Sequence, residues 1–232
     1  MKTPIAIATA CAALGLSALA AAPAQASPNS LDTMSASMMS AAQARTLGVA
    51  GDHIRTFEYL KGTKKGPDDD IWLCDLAGDK EVEVEADGSP ELYEVVYASQ
   101  KSGVETVAGQ DLYTFASEAD ARKAMKSIRK AAKKCVGTFT AEEEGVVFRQ
   151  NVSHGTGTSA DGAGFTWIKH KATATAASAR LGDNEYNTFR RIGQFVQVLS
   201  IEVAGDPAPT ISSAQKKTLD TLTGTLGSYW AW

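Results

Sequence analysis

The sequence predicts one α+β domain: a mainly antiparallel sheet with helices on one face and one disulfide. Short runs with a two-residue apolar alternation follow one another through turn residues, which is the pattern of strands met in chain order. Two segments, one opening at Ser117 and one near Ser212, change to a 3.6-residue period and read as helices. The chain has 232 residues and three cysteines, one of which falls in a segment expected to be removed, so a single pair is left. No linker-like stretch divides the chain, and 44% apolar residues suffice for one core.

The amino terminus predicts the compartment. Met1-Lys2 is a minimal charged start, and residues 5–22 carry no charge. The run ends in Pro23-Ala24-Gln25-Ala26, a small-x-small cleavage site before Ser27. This is the pattern of a secretory signal over residues 1–26, cut between Ala26 and Ser27. An uncleaved anchor is the alternative, disfavoured by an Ala-rich run of barely 18 residues. Cys11 faintly suggests a lipoprotein box, but it precedes most of the apolar run and reads as a passenger in the signal. No later stretch is long or apolar enough to span a bilayer, so no transmembrane segment is expected after cleavage. Lys2 is the one charge removed, which leaves 22 basic against 27 acidic residues, a balance of −5. That balance argues against a dedicated nucleic-acid binder. In an oxidising compartment the remaining Cys74 and Cys135 predict a disulfide. It closes a 61-residue loop, which by chain entropy contributes about 4 kcal/mol.

The elements follow in order. Residues 27–39, rich in Ser, Met and Ala, read as a flexible leader or the start of a helix. A short helix spans 40–47, with Gly48 at its C-terminal cap position. Strands are predicted at 55–60 and 71–74, the latter placing Trp72 and Cys74 on one face. Strands at 81–85 and 92–98 are joined by a hairpin-like turn at Asp87-Gly88-Ser89-Pro90. Residues 104–115 are strand-like, broken at Gly109. The helix from Ser117 has Asp120 in the capping-box position. Its buried stripe is Ala121, Ala124, Met125, Ile128, Ala131, Ala132 and Cys135. A strand at 145–152, a Gly-rich flexible loop at 155–164 and strands over 165–177 and 185–203 follow, with Gly182-Asp183-Asn184 as a turn. Around Phe195 to Leu199 both faces are apolar, as in a central strand. Ser212 or Ser213 caps a final helix carrying Leu219, Leu222, Leu226 and Tyr229. Residues 40–232 form the domain.

Motif chemistry is sparse. No G-x-S-x-G elbow supports a hydrolase. His53, His154 and His170 are 101 and 16 residues apart, which is no zinc signature. Asp68-Asp69-Asp70 with Asp75 lacks calcium-loop spacing and reads as a solvated turn. Asn151-Val152-Ser153 matches a glycosylation acceptor. No metal and no cofactor are expected. The helix over 117–134 presents Arg122, Lys123, Lys126, Arg129, Lys130, Lys133 and Lys134 away from its apolar stripe. This is either a solvated face or an attraction for an anionic surface.

Trp72-x-Cys74 leads into strands, and Tyr113-x-Phe115-x-Ser117-x-x-x-Ala121 opens a helix ending on Cys135. Asn187-x-x-Arg190-Arg191-x-Gly193-x-x-Val196-x-Val198 and a terminal helix follow. In this order the sequence resembles the extracellular sensor domain of PknH-type receptor Ser/Thr kinases of actinobacteria, over roughly residues 40–230. The resemblance implies a twisted antiparallel sheet flanked by helices, a cleft for an unidentified ligand, and no catalytic residues. It departs in two respects. The family pattern has four cysteines in two disulfides, against two here, and the sequence has no kinase domain.

The function expected is therefore that of a secreted, non-enzymatic, ligand-binding sensor-like domain, whose partner is an extracellular small molecule or an envelope component and not a nucleic acid. Trp167, Tyr186 and Arg190 are its candidate ligand-binding residues, since aromatics and an Arg suit a mixed apolar and anionic ligand. The competing placement is Trp167 in the core and Arg190 in a surface pair. The alternatives are an envelope-interaction protein acting through the basic helix and, behind it, a secreted hydrolase.

Overall fold

The computed structural model describes residues 31–61, 70–76, 80–85, 91–143, 146–175 and 182–228. The expected signal and its cleavage site, Asp68, Asp69, the 87–90 turn and the carboxyl-terminal Tyr229 to Trp232 lie outside the described residues.

Among the described residues the fold is α+β. The strands are β1 (Ile54–Lys61), β2 (Ile71–Leu76), β3 (Lys80–Val84), β4 (Glu91–Lys101), β5 (Val104–Thr114), β6 (Gly137–Glu143), β7 (Val146–Thr158), β8 (Gly164–Ala174), β9 (Gly182–Ile192) and β10 (Phe195–Gly205). The helices are α1 (Leu31–Ser37), α2 (Ala41–Thr46), α3 (Glu118–Ala132) and α4 (Ser213–Ser228). Eight strands form one antiparallel sheet in the order β1-β4-β5-β10-β9-β8-β7-β6. The strand carrying Phe195 to Leu199 is central, as its two apolar faces require.

The helices cover both faces, not one. On one face α3 and the β2–β3 hairpin bury a core that includes Ile71, Leu73, Met125, Ile128, Phe189 and Val196. On the other, α1, α2 and α4 cover Val95, Leu112, Leu199 and Ile201. Two faces need covering because the central strands alternate apolar residues to both sides. A single helical layer would leave one set in water.

Several expectations are corrected. Of the two readings of residues 27–39, the start of a helix holds and the flexible leader does not from residue 31 on: α1 spans Leu31–Ser37, and Met34, Met38 and Met39 are each at most 2% exposed. The Met39 backbone is held from both ends. Its N–H donates to Gln110 Oε1 at 2.6 Å, and its carbonyl accepts from the Tyr97 hydroxyl at 2.8 Å. The segments at 80–84 and 91–101 do not form a hairpin. β3 pairs with β2 in its own two-stranded sheet, while β4 joins the large one. β5 is unbroken at Gly109, which sits in the ladder opposite both Val96 and Ser200. The Gly-rich stretch is largely strand: β7 runs to Thr158 and β8 starts at Gly164. A Cβ on Gly155 would lie 2.4 Å from the Trp167 ring, so glycine leaves this ring room to lie across its neighbour strand. Gly182, Asp183 and Asn184 belong to β9 rather than to a turn. Strand β6 was not expected at all. Its sequence, GTFTAEE, has one large apolar residue and gives little periodic signal.

The caps are as the sequence dictates. The Ser40 Oγ accepts from the Gln43 N–H and Gln43 reaches back, a full capping box. The Ser117 Oγ accepts from the Asp120 N–H and donates to its carboxylate, so Asp120 turns to the hydroxyl and only one half of a box forms. The Ser212 Oγ caps α4 through the Gln215 N–H.

Cys74 and Cys135 are bonded, with Cα atoms 6.0 Å apart, and join β2 to the end of α3. The register of β2 shifts between Trp72 and Cys74. Leu73 and Cys74 are therefore both buried while Trp72 is half-buried, which breaks the alternation expected to place Trp72 with Cys74.

Candidate functional site

Side chains with chemical potential gather on both faces of the sheet. On the α3 face, beyond the helix, a groove of about 240 Å³ lies between β2 and the central strands. Ile71 and Trp72 form its wall. Its floor takes Leu92 and Glu94 from β4, Asp111 and Tyr113 from β5, Ser200 from β10, and Glu185 and Asn187 from β9. The period of two brings these residues to one face, and the strand order makes them neighbours. Glu94 stands directly opposite Asp111, and Glu185 opposite Glu202. Gly109 opens the floor: a Cβ there would lie 2.7 Å from the Ser200 Oγ.

The chemistry of the groove is that of acceptors. Next to the groove, opposite Glu185, burial and then the nearby Glu105 charge hold the Glu202 carboxyl above its ordinary range. Asn187, 4% exposed, donates its amide to Glu185 Oε1 at 2.9 Å, and its buried Oδ1 has no hydrogen-bond partner. Asp70, Trp72, Glu94, Asp111, Tyr113 and Glu185 already take part in interactions within the chain, so the lining acceptor left for a ligand's donor is the Asn187 Oδ1. The disulfide anchors the same strand that carries Trp72. Among the described residues, no group of three or more His, Cys, Asp or Glu could hold a metal ion.

The residues expected to bind ligand lie on the opposite face. Trp167 and Tyr186 meet, with ring centroids 6.0 Å apart. Tyr186 is 5% exposed and its hydroxyl donates to Asp220 of α4 at 2.9 Å. Burial first, and then Asp220, push that hydroxyl's pKa up. Lys169, opposite Tyr186, is held below the ordinary lysine range by burial and by Lys216.

Arg190 is separate from that pair in role. Its side chain is 6% exposed. Nη1 donates to the carbonyls of Thr223 and Gly224 at 2.8 and 3.2 Å, and Nη2 donates to Asp161. This corrects both placements of Arg190. It is neither a free ligand contact nor a surface pair but a buried strut between β9, α4 and the 159–163 turn. Trp167 is half-buried against the α4-side core.

The basic side chains Arg122, Lys123, Lys126, Arg129, Lys130, Lys133 and Lys134 are all exposed. Arg122 pairs with Glu118 at 3.5 Å.

Sequence reasoning missed the groove. The available signal was a carboxylate beside large apolar strand residues, as at Glu94 and Asp111. Only strand order shows that they converge.

No family model and no curated protein matches the sequence. Among solved structures, the fold is similar to the extracellular domain of PknH from Mycobacterium tuberculosis. The TM-score is 0.51 at 11% identity, over 84% of this chain and 94% of that one. The likeness is a distant one, of fold.

Proposed function

We propose that this chain is a secreted, non-enzymatic, sensor-like binding module that takes a small hydrogen-bond-donating ligand in the groove beneath Trp72. The carrying observation is that groove: polar side chains converge from four adjacent strands around the unpartnered Asn187 Oδ1, against an aromatic wall on a strand anchored by the disulfide. A rigid floor with a few convergent polar groups is what small-ligand recognition uses. Likeness of fold to an extracellular domain supports the reading, as does the uncharged amino-terminal run ending at Ala26.

The test is native mass spectrometry of the protein purified from the organism that makes it. The expected result is a chain starting at Ser27 that carries a non-covalent mass, lost in the Asp111→Asn plus Glu94→Gln variant. A bound mass unaffected by those changes would overturn the assignment of the groove. Turnover of an ester or glycoside that depends on one of these carboxylates would overturn the non-enzymatic reading.

A further inference from the structure

The outward side of α3 carries charge in a form that folding alone does not favour. At about 100° per residue, the six basic side chains from Arg122 to the cap residue Lys133 fall within an arc of about 120°, with Lys134 in the turn just beyond. Arg122, Lys126, Arg129 and Lys133 make a crest about 17 Å long, and Lys123, Lys130 and Lys134 a second row beside it. The pairs Arg122–Lys126, Lys126–Lys130, Arg129–Lys133 and Lys130–Lys134 are like charges one turn apart, each mildly destabilising. A helix face that serves only as a solvated surface gains from alternating signs. On the crest the one acidic partner is Glu118, at the first turn, while Lys123, Lys130 and Lys134 share a groove with Glu83, Glu85 and Asp120. Lys123, Lys126, Arg129, Lys130, Lys133 and Lys134 have no ion pair among the described residues. The whole chain, by contrast, is acidic at −4. A local conflict kept in an otherwise consistent element marks a surface selected for something besides folding.

We infer that this face of α3 docks a linear, phosphate-bearing polyanion. Two rows of cations along a rigid helix match a chain of repeating negative charges, and lysine and arginine are both phosphate ligands. A bilayer fits less well. The apolar stripe of α3, with Met125 and Ile128, is already buried in the core, so nothing is left to insert between lipids. No aromatic residue stands between Glu118 and Ala132, so recognition is through backbone charge and not through stacking.

The test is fluorescence anisotropy of labelled long-chain inorganic polyphosphate with the full chain. Binding is expected at low salt, falling by about a few hundred-fold from about 50 to about 200 mM salt if six phosphates are neutralised. Lys126→Glu plus Lys130→Glu should weaken binding at least about tenfold, and Lys217→Glu, on exposed α4 surface, should leave it within about twofold. The melting temperature of the α3 variant should stay near that of the parent, which separates lost docking from lost folding. Lys126→Gln plus Lys130→Gln gives the same readout without charge reversal. Absence of binding at low salt, binding unaltered in both α3 variants, or capture by anionic phospholipid vesicles that polyphosphate does not displace would each overturn the inference.

Discussion

Helices α3 and α4 are of nearly equal length, 15 and 16 residues, and pack on opposite faces of the same sheet. They are held there by different means. The polar groups of α4 are used inward. Its Thr223 hydroxyl meets Thr188 at 2.7 Å, Asp220 accepts from Tyr186, the Thr223 and Gly224 carbonyls accept from Arg190, and Gln215 Nε2 donates to the Leu47 carbonyl at 2.7 Å. The contacts of α3 with the fold are mainly apolar and covalent, an Ala/Met/Ile stripe and the disulfide just past its end, with one ion pair from Glu118 to Arg191 of β9. Its charges point out, and apart from Glu118 and Arg122 they contribute no described ion pair. Where polar groups join the fold they are paired with opposite or neutral partners. Where they are left over, like charges crowd together. The comparison thus separates residues that maintain the structure from residues available for binding.

The largest effect should come from the covalent tie of α3. Replacing Cys74 and Cys135 together by serine is expected to cost about 4 kcal/mol and to lower the melting temperature by about 10 °C. An unchanged melting temperature would mean that the apolar stripe alone suffices. Next comes the strut of the α4 side. Arg190→Met should cost about 2–3 kcal/mol in a denaturant titration, discounted because the Asp161 side chain is 35% exposed. The same variant should change the acid limb. Burial alone would raise the Asp161 carboxyl, but hydrogen bonds from Ser159 and Arg190 outweigh it and lower its pKa. Its contribution is therefore present above the ordinary carboxylate range and is lost as pH falls through the lowered value. Arg190→Met should flatten that loss. Tyr186→Phe removes one charge-assisted hydrogen bond to α4 and should cost about 1–2 kcal/mol by the same titration.

Glu202, beside the groove, should respond with the opposite sign. The Glu202 carboxyl is raised above its ordinary 4.5, so the folded state holds its proton more tightly than the unfolded one. Stability from this group is present at low pH and is lost as pH rises through the raised value. Glu202→Gln should therefore melt higher than the parent near neutrality and equal it in acid. A parent that melts higher at neutrality would place a compensating cation beside Glu202. The smallest effect is expected on the crest of α3: Lys126→Glu should stabilise by a few tenths of a kcal/mol, by replacing repulsion from Arg122 and Lys130 with attraction.

The disulfide, the caps at Ser117 and Ser212, the apolar stripe of α3 and the central placement of β10 were legible because each rests on local spacing or on a unique cysteine pair. The covering of both faces was not, because periodicity tells which residues are buried but not on which side a helix lands. The bulge after Trp72 is likewise a tertiary fact. Arg190 looked like a ligand contact because an arginine beside aromatics suits a mixed apolar and anionic ligand. Its partners are backbone carbonyls 33 and 34 residues away, which side-chain identity does not reveal. The groove was missed for the same reason: Glu94, Asp111 and Asn187 are neighbours only through the order β4-β5-β10-β9.

The contrast between the two helices is tested most directly by urea unfolding of a chain with Lys126, Arg129, Lys130 and Lys133 all changed to glutamine. Charges that the fold does not use can be removed without loss, so the unfolding free energy should stay within about 1 kcal/mol of the parent. A loss above about 2 kcal/mol would show that these cations hold α3 in place and would contradict the division drawn between the helices.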